Sequence, residues 1–223
     1  MLSLKYNCIF VHIPKTAGTS IEKKLELFDE LKVGVQDHRS ISEIEPLPIS
    51  RWVQPTYWPT APARIKSLIK GQTQISPQNY HNCYKFTFVR NSWSRAYSWY
   101  KNVMRGKIHR DKLNVPEDCT FKDFLRFHLD NNWAMKSQLD WIRNTDGDIP
   151  LDFIGRFEHL ERDFAQVCSD LAIEDNTLPQ LIVGKKKGKK NPPYMEQFDA
   201  EMKDIIAKRF KEEIAFFKFE FGE

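Results

Sequence analysis

The sequence predicts an α/β fold in which a mainly parallel central sheet is flanked by helices. Two short apolar runs, Cys8–Val11 and Tyr84–Val89, are typical of strands buried on both faces. A tight turn and a helical pattern of apolar residues follow each run. Strands that alternate with helices through short connections favour the α/β class. Because the chain has 223 residues, we expect a single domain over 1–223.

The composition supports a folded domain with one local cationic segment. Hydrophobic residues make up 41% of the chain and aromatic residues 13%, which is enough apolar mass to bury a core. Lys and Arg number 34 against 30 Asp and Glu, but segment 184–190 alone holds five lysines. The remainder has a net charge of −1. We therefore expect no nucleic-acid partner.

The first strand, Cys8–Val11, ends before Pro14. From Thr19 onward, apolar residues recur every three or four positions, which predicts a helix with one buried face: Ile21, Leu25, Phe28 and Leu31. Segment 46–62 contains five prolines and is expected to be irregular. Three of its aromatic residues could stack on a sugar ring or anchor the segment to the core: Trp52, Tyr57 and Trp58.

The second strand has a helix on each side. Ser76 followed by Pro77 predicts the start of a short helix that ends near Asn82. Strand Tyr84–Val89 follows at once. A helix over 93–104 is then predicted by the spacing of its large apolar residues: Trp93, Tyr97, Tyr100 and Met104.

The remainder of the chain predicts one more strand and several helices. Helices are expected at 120–130 and, more loosely, at 134–143. A third strand at 152–156 leads into a helix at 158–172. A continuous apolar stripe predicts a single amphipathic helix over 199–217: Met202, Ile205, Ile206, Phe210, Ile214 and Phe217.

The cysteines lack the paired spacing of a zinc site. We therefore expect four free, buried thiols: Cys8, Cys83, Cys119 and Cys168. The start of the chain has no signal-peptide pattern, and no stretch approaches the roughly 20 apolar residues that cross a bilayer. We expect a location in the reducing cytoplasm.

The turn at 12–20, between the first strand and its helix, has the composition of a phosphate-binding site. Unpaired backbone N–H groups and the helix dipole favour an anion there. Lys15 adds a positive charge, Gly18 permits close backbone approach to an oxygen-rich ligand, and hydroxyl donors follow: Thr16, Thr19 and Ser20. Lys15 precedes the glycine, so the pattern GxxxxGK[ST] is absent. This disfavours an ordinary ATPase or GTPase.

Two separated segments each follow a predicted strand: FVHIPKTAGTS at 10–20 and FVRNSWSRAYSWY at 88–100. Together they resemble the 5′-phosphosulfate loop and the 3′-phosphate motif of sulfotransferases that use 3′-phosphoadenosine 5′-phosphosulfate (PAPS), in particular the carbohydrate branch. Weaker similarity extends through 153–158 and 209–221. The resemblance implies a P-loop-like three-layer fold, PAPS as the sulfuryl donor and no metal.

The resemblance also implies which residues bind the donor. At the 5′ end these are Lys15, Thr16, Ala17, Gly18, Thr19 and Ser20. Lys15 is implied at the bridging oxygen, where negative charge develops as the sulfuryl group leaves. Arg90 and Ser98 are the implied ligands of the 3′-phosphate. From the residues alone, Lys15 could be solvated, Arg90 could pair with a carboxylate and Ser98 could pack between helices. The family usually has Pro where Ser92 stands.

The implied catalytic base is His38, which would take the proton of the acceptor hydroxyl. The alternative is a surface histidine at the start of a helix. His12 is the second candidate, although its place in the strand-to-turn segment suits a role in orienting the turn. Gln138 resembles a family position that faces the acceptor. The lysines of 185–190 could contact the 3′-phosphate or an anionic acceptor, or could form a solvated charge run.

These expectations describe an enzyme that transfers a sulfuryl group from PAPS to a hydroxyl acceptor, a carbohydrate, by in-line displacement. Lys15 and His38 are the expected catalytic residues. One alternative is a small-molecule kinase on the same fold, which would need magnesium. The other is a non-enzymatic polyanion-binding module, whose binding would depend steeply on salt. Oligomeric state has no signature in the sequence.

Overall fold

A computed structural model describes residues 1–26, 36–52, 54–72, 74–130, 132–179 and 193–223. Its sheet has the strand order β1–β2–β3–β4, with bounds Leu2–Ser3, Cys8–Val11, Tyr84–Val89 and Phe153–Arg156. Strands β2, β3 and β4 are parallel, and β1 pairs with β2 in the antiparallel direction. Phe10 lies opposite Phe86, which lies opposite Phe153.

Helices surround this sheet. Those that the described residues form are α1 (Gly18–Lys24), α2 (Ile41–Ile44), α3 (Ile49–Trp52), α4 (Ala61–Ile69), α5 (Pro77–Asn82), α6 (Ser92–Arg105), α7 (Lys107–Leu113), α8 (Phe121–Phe127), α9 (Gln138–Ile142), α10 (Leu160–Asp170), α11 (Ala200–Arg209) and α12 (Lys211–Phe217). Short 3₁₀ segments lie at Pro55–Thr60, Trp133–Met135, Phe157–His159 and Tyr194–Gln197.

The sheet is the middle of three layers because its central strands are apolar on both faces. Along β2, Ile9 and Val11 belong to one core, which includes residues of α6, α8, α9 and α11. Cys8 and Phe10 belong to a second core, formed with residues of α1 and α10. This division follows from the alternation of side chains along a strand. The predicted α/β architecture, a mainly parallel sheet between helices, is confirmed.

The strand-turn-helix units were predicted well from the sequence. Strands β2 and β3 have the predicted bounds, and the helix predicted at 93–104 is α6. Strand β4 and helix α10 form where a strand and a helix were expected. The antiparallel edge strand β1 was missed, because two residues are too short to show a periodic pattern.

Several helix bounds were wrong. Helix α1 ends at Lys24, and Phe28 and Leu31 lie outside the described residues. The predicted helix at 199–217 is two helices, because the backbone of the buried Phe210 leaves helical geometry at φ −112° and ψ 28°. The helix predicted at 134–143 is a 3₁₀ turn followed by α9, whose start is capped when Leu139 N–H donates to Ser137 Oγ.

The proline-rich segment 46–62 is less irregular than predicted. It contains α3 and a 3₁₀ segment and leads directly into α4, which has Pro62 in its first turn, where proline is tolerated. Tyr57 anchors this segment, because its ring is buried and its hydroxyl donates to Asp146 Oδ1 over 2.7 Å. The cysteine prediction is confirmed, since all four thiols are free and buried.

Candidate active site

The turn between β2 and α1 has a strained backbone. Lys15 and Ala17 adopt left-handed conformations, with φ of 73° and 69°, although neither is glycine. Each such residue costs about 1–3 kcal/mol, and strain of this kind concentrates at binding sites. Ala17 is the N-cap of α1 and provides no side-chain cap. The first amides of α1 therefore remain available to an anion.

Thr16 differs from its neighbours in this turn. Its side chain is fully buried, and its hydroxyl donates to the carbonyl of Ile13 over 2.9 Å. The hydroxyl therefore closes the turn and is not the ligand donor that the sequence suggested. The remaining predicted turn residues line one cavity: Lys15, Ala17, Gly18, Thr19 and Ser20.

Gly18 is required by a side chain of the protein itself. A Cβ atom at this position would lie 2.0 Å from Cδ2 and 2.1 Å from Nε2 of His12. The imidazole of His12 is buried and packs directly against the backbone of Gly18. The missing side chain of Gly18 thus makes room for the His12 ring. From the sequence, a bound ligand was expected to use that space.

We predict that Gly18→Ala destabilises the fold by about 1–3 kcal/mol, because a methyl group there must displace the buried His12 ring. Gly106→Ala is the matched control, because the nearest atom to its new Cβ would be 3.7 Å away. Urea unfolding should give a lower midpoint for Gly18→Ala at an unchanged m-value. Equal midpoints for the two variants would contradict the packing described for His12.

Arg90 joins the two motifs. Its Nη1 donates to the carbonyl of Lys15 over 3.2 Å, and its Nε donates to Ser94 Oγ over 2.9 Å. The guanidinium lies 3.9 Å from the ring centroid of Phe157. Ser98, two turns along α6, lines the same cavity as Arg90 and Lys15. The fold therefore brings together residues that are far apart in the chain.

Lys15 and Arg90 bring positive charge to this cavity, which Glu161 also lines. Within the described parts of the chain, neither Lys15 nor Arg90 has a carboxylate within 4.0 Å. Burial lowers the pKa of Arg90 to about 10. Burial, and then the positive charges of Arg105, Arg90 and Lys101, lower the pKa of Lys15 to about 8. The positive potential favours an anionic ligand.

A buried polar network holds Arg90 in place. Gln138 accepts from Arg90 N–H and donates to Arg90 C=O, both over 2.8 Å. Glu213, also fully buried, accepts from the Gln138 amide over 2.7 Å and from Ser92 Oγ over 2.7 Å. Gln138 therefore supports Arg90 from behind and does not face an acceptor. Ser92, where the family usually has proline, supplies a hydroxyl to this network.

Arg95 ties the turn at 12–20 to the Trp133–Met135 segment, of which Trp133 lines the cavity. Its guanidinium is fully buried and donates to three backbone carbonyls. These belong to Pro14 at 3.3 Å, Lys136 at 3.1 Å and Ala134 at 2.6 Å. Because carbonyls satisfy the guanidinium, Arg95 fixes the distance between the turn and the Trp133–Met135 segment and needs no carboxylate partner from the described residues.

His38 lies against His12, with 4.2 Å between the ring centroids. Its Nδ1 is 3.0 Å from the carbonyl of His12, which can only accept, so Nδ1 carries the proton. Nε2 then has the lone pair of a base. Gln36 donates its amide N–H to Thr19 Oγ1 and has its Oε1 3.2 Å from Nε2, so a proton taken up on Nε2 would be accepted by Gln36 Oε1. Burial lowers the pKa of His38 to about 4, which leaves it neutral at pH 7.

The cavity has a volume of about 940 Å³. Besides the predicted residues, its lining includes a cluster of aromatic and polar side chains: Trp99, Asn102, His109, Trp133 and Phe157. Trp133 is 47% exposed, and its ring centroid lies 5.3 Å from that of His38. The cavity therefore combines a cationic region, a neutral histidine and an accessible aromatic face.

The comparison with known families agrees with this geometry. The model of the family described as "Sulfotransferase family" matches residues 1–220. The chain belongs to the sulfotransferase family. No curated protein and no solved structure matches it. Members of this family transfer a sulfuryl group and generally use PAPS as the donor, and the family implies a P-loop-like fold.

Most of the predicted site residues of this sulfotransferase meet in the cavity. Lys15, His38, Arg90 and Ser98 all line it, and Thr16 lies behind its wall. The lysine-rich segment 184–190 lies outside the described residues. Of the aromatic residues in the proline-rich segment, Tyr57 is buried away from the cavity lining, and Trp58 is exposed but does not line it either. The side chain of Trp52 is not described.

Sequence reasoning missed the residues that support the sulfotransferase site from behind. The side chains of Glu22, Arg95 and Glu213 are buried. Charged residues in a helical pattern usually face solvent, so the sequence gives no sign of this burial. His109 lines the cavity as well, although no pattern in the sequence around it predicted this. In the part of the chain that the structure describes, no group of three metal-ligating side chains is placed to hold an ion, and no helix is long and apolar enough to cross a membrane.

Proposed function

We propose that this sulfotransferase uses PAPS as its donor and a carbohydrate hydroxyl as its acceptor. One observation carries the proposal. Lys15 and the turn after β2, Arg90 after β3 and Ser98 on α6 line one cavity beside a neutral histidine, His38. The two anionic ends of PAPS require two separate cationic sites, and these two strand ends supply them.

For the 3′ end of the donor, Arg90 and Ser98 provide a guanidinium and a hydroxyl in the same cavity. A guanidinium makes paired, permanently charged hydrogen bonds with phosphate. Among the described residues no carboxylate lies within 4.0 Å of Arg90, and the charge of Glu158 acts on it only from beyond that distance, which favours the ligand role over the ion-pair alternative. Gln138 fixes its backbone, so little side-chain and loop entropy remains to be lost on binding.

At the 5′ end, Lys15 and the first amides of α1 act on the group that leaves. The acceptor oxygen bonds to sulfur as the bond between sulfur and the bridging oxygen breaks. The electron pair of that bond stays on the 5′-phosphate of the nucleotide. Lys15 stabilises this new negative charge, which is larger in the transition state than in bound PAPS.

His38 takes the proton of the acceptor hydroxyl. Its Nε2 carries a lone pair because Nδ1–H donates to the His12 carbonyl. The pKa of about 4 means that His38 is in the base form throughout the neutral range. A base of low pKa accepts the proton only as the acceptor oxygen becomes positively charged by bonding to sulfur, so transfer accompanies displacement.

The proposal of a carbohydrate acceptor is supported by Trp133. An exposed indole beside the base offers an apolar face to a sugar ring, while Asn102 and His109 supply polar groups along the same cavity. Assays with PAPS and chelator should detect transfer to neutral or anionic oligosaccharides and not to phenols or sterols. Transfer to phenols alone would overturn the acceptor proposal, and transfer from ATP with magnesium instead would overturn the donor.

Two groups shape the pH dependence of kcat/KM for the donor, which reports the pKa values of the free protein. His38 acts deprotonated, so activity is gained as pH rises through about 4. Lys15 acts protonated, so activity is lost as pH rises through about 8. We predict a bell-shaped profile. His38→Ala should lower turnover by about 100-fold or more and remove the acidic limb. A variant that keeps the acidic limb would rule out His38 as the base.

A further inference from the structure

A buried carboxyl group lies directly behind the phosphate turn and has no part in the chemistry described above. Glu22, on α1, is 0% exposed, and its Oε1 contacts Nδ1 of His12, which is 3% exposed. The other oxygen, Oε2, is buried without a hydrogen-bond partner in the described residues. This carboxyl group therefore has one polar partner, an imidazole that itself lines the cavity.

The contact has three possible proton arrangements. An imidazolium with a carboxylate would place two charges in the interior. A carboxylate that accepts from a neutral Nδ1–H would leave a full negative charge with one oxygen unpartnered. A protonated carboxyl that donates to Nδ1 buries no charge and needs a single acceptor. Burial of an unpaired charge is the costliest of these choices, so the unpartnered Oε2 selects the third arrangement.

The third arrangement determines what His12 presents to the cavity. When Nδ1 accepts a hydrogen bond, the proton of a neutral imidazole lies on Nε2. Nε2 packs against Gly18 in the phosphate turn and has no hydrogen-bond partner among the described residues. An N–H group at this position attracts an anion, whereas a lone pair at the same place would repel it.

We propose that protonated Glu22 donates to Nδ1 of His12 and so makes His12 Nε2–H a neutral donor to the anionic 5′ group bound in the turn. Glu22 is thus a positioning residue, and His12 is a further donor-binding residue. The identity of the anion rests on the function proposed above. The proton arrangement rests on the geometry of the pair alone.

The surroundings of the pair agree with this arrangement. Burial raises the pKa of Glu22 to about 7 and lowers that of His12. Charged and titratable groups also act on the pair from the neighbouring elements: the amine of Met1, Lys15, Asp37 and His38. Near neutral pH Glu22 loses its proton, and Nδ1–H of His12 then donates to the carboxylate. His12 therefore changes tautomer as pH rises.

The first test is ¹⁵N NMR of the histidines in the free protein, with the His12 signals assigned by their loss in His12→Asn. We expect the Nε2–H tautomer at pH 6 and the Nδ1–H tautomer at pH 8.5. Glu22→Gln should keep one tautomer at both pH values, because its amide can bond Nδ1 but does not titrate. If His12 of the wild-type protein is an imidazolium or the Nδ1–H tautomer at pH 6, the inference is overturned.

The second test is the affinity for adenosine 3′,5′-bisphosphate between pH 6 and 8.5. A hydrogen bond to a charged group is worth about 1.5–3 kcal/mol, so the wild-type affinity should fall at least about tenfold more than that of Glu22→Gln. Lys15 titrates in both proteins, so its effect on affinity cancels when the two pH profiles are compared. Parallel pH profiles would overturn the role of Glu22.

The two tests separate the inference from the proposed function. The tautomer is measured without a ligand, so the predicted change with pH supports the proton arrangement whatever the donor is. If the bisphosphate does not bind the wild-type protein at any pH, the proposed function and the role of His12 toward that nucleotide both fail. If it binds and His12 is the Nδ1–H tautomer at pH 6, the inference alone fails.

Discussion

Replacing Lys15 with alanine is expected to slow sulfuryl transfer by about 100- to 1000-fold, the usual effect of removing one group that stabilises developing negative charge. Lys15 occupies a turn whose strained backbone fixes its position, and no carboxylate among the described residues competes for its charge. Because the charge on the leaving phosphate grows in the transition state, turnover should fall more than donor affinity.

The comparison for Lys15→Ala is Lys208→Ala, which removes a lysine from the exposed surface of α11. Its turnover should match wild type. Lys15→Arg keeps a positive charge above pH 8 and should shift the basic limb of the pH profile upward, with incomplete recovery of turnover because the guanidinium differs in shape. Near wild-type turnover of Lys15→Ala would remove Lys15 from the mechanism.

Arg90→Ala is expected to weaken binding of adenosine 3′,5′-bisphosphate by about 100-fold. Two charge-assisted hydrogen bonds to phosphate are worth about 3 kcal/mol together, and each 1.4 kcal/mol is a factor of ten. Adenosine 5′-monophosphate lacks the 3′-phosphate, so its affinity should change much less. Calorimetric titration of both nucleotides against wild type and variant measures this difference.

Arg209→Ala is the charge-matched control for Arg90→Ala, since Arg209 pairs with Asp130 on the surface. Ser98→Ala should have a smaller effect, about tenfold or less, because it removes one neutral donor. Arg90 also contacts Phe157 and the Lys15 carbonyl, so each variant requires a thermal unfolding curve. Equal losses for the two nucleotides would show that Arg90 supports the cavity without binding the 3′-phosphate.

The sequence predicted the parts of the fold that depend on local pattern. Continuous apolar runs located β2 and β3, and the composition of the turn after β2 located Lys15. These signals are local because a strand buried on both faces and a phosphate-binding turn each require particular residues within a few positions. The resemblance to a family supplied the roles of Arg90, Ser98 and His38.

The supporting network could not be predicted in the same way. Glu213 bonds Gln138 from a distance of 75 residues in the chain, and Arg95 reaches carbonyls 39 to 81 residues away. Both residues occur in helices, where charged side chains usually face solvent. Their burial depends on packing between elements that no local pattern specifies. The division of the predicted helix at Phe210 could not be predicted for the same reason. The apolar stripe runs on from α11 into α12, while the backbone of Phe210 leaves helical geometry.

The measurement that tests the central claim most directly is calorimetric titration of the wild-type protein with adenosine 3′,5′-bisphosphate in chelator, beside ATP with magnesium. The cavity holds Lys15 and Arg90 at separate strand ends, so we predict micromolar or tighter binding of the bisphosphate without metal, and much weaker binding of ATP. Preference for ATP with magnesium, and no binding of the bisphosphate, would contradict the account and favour a kinase.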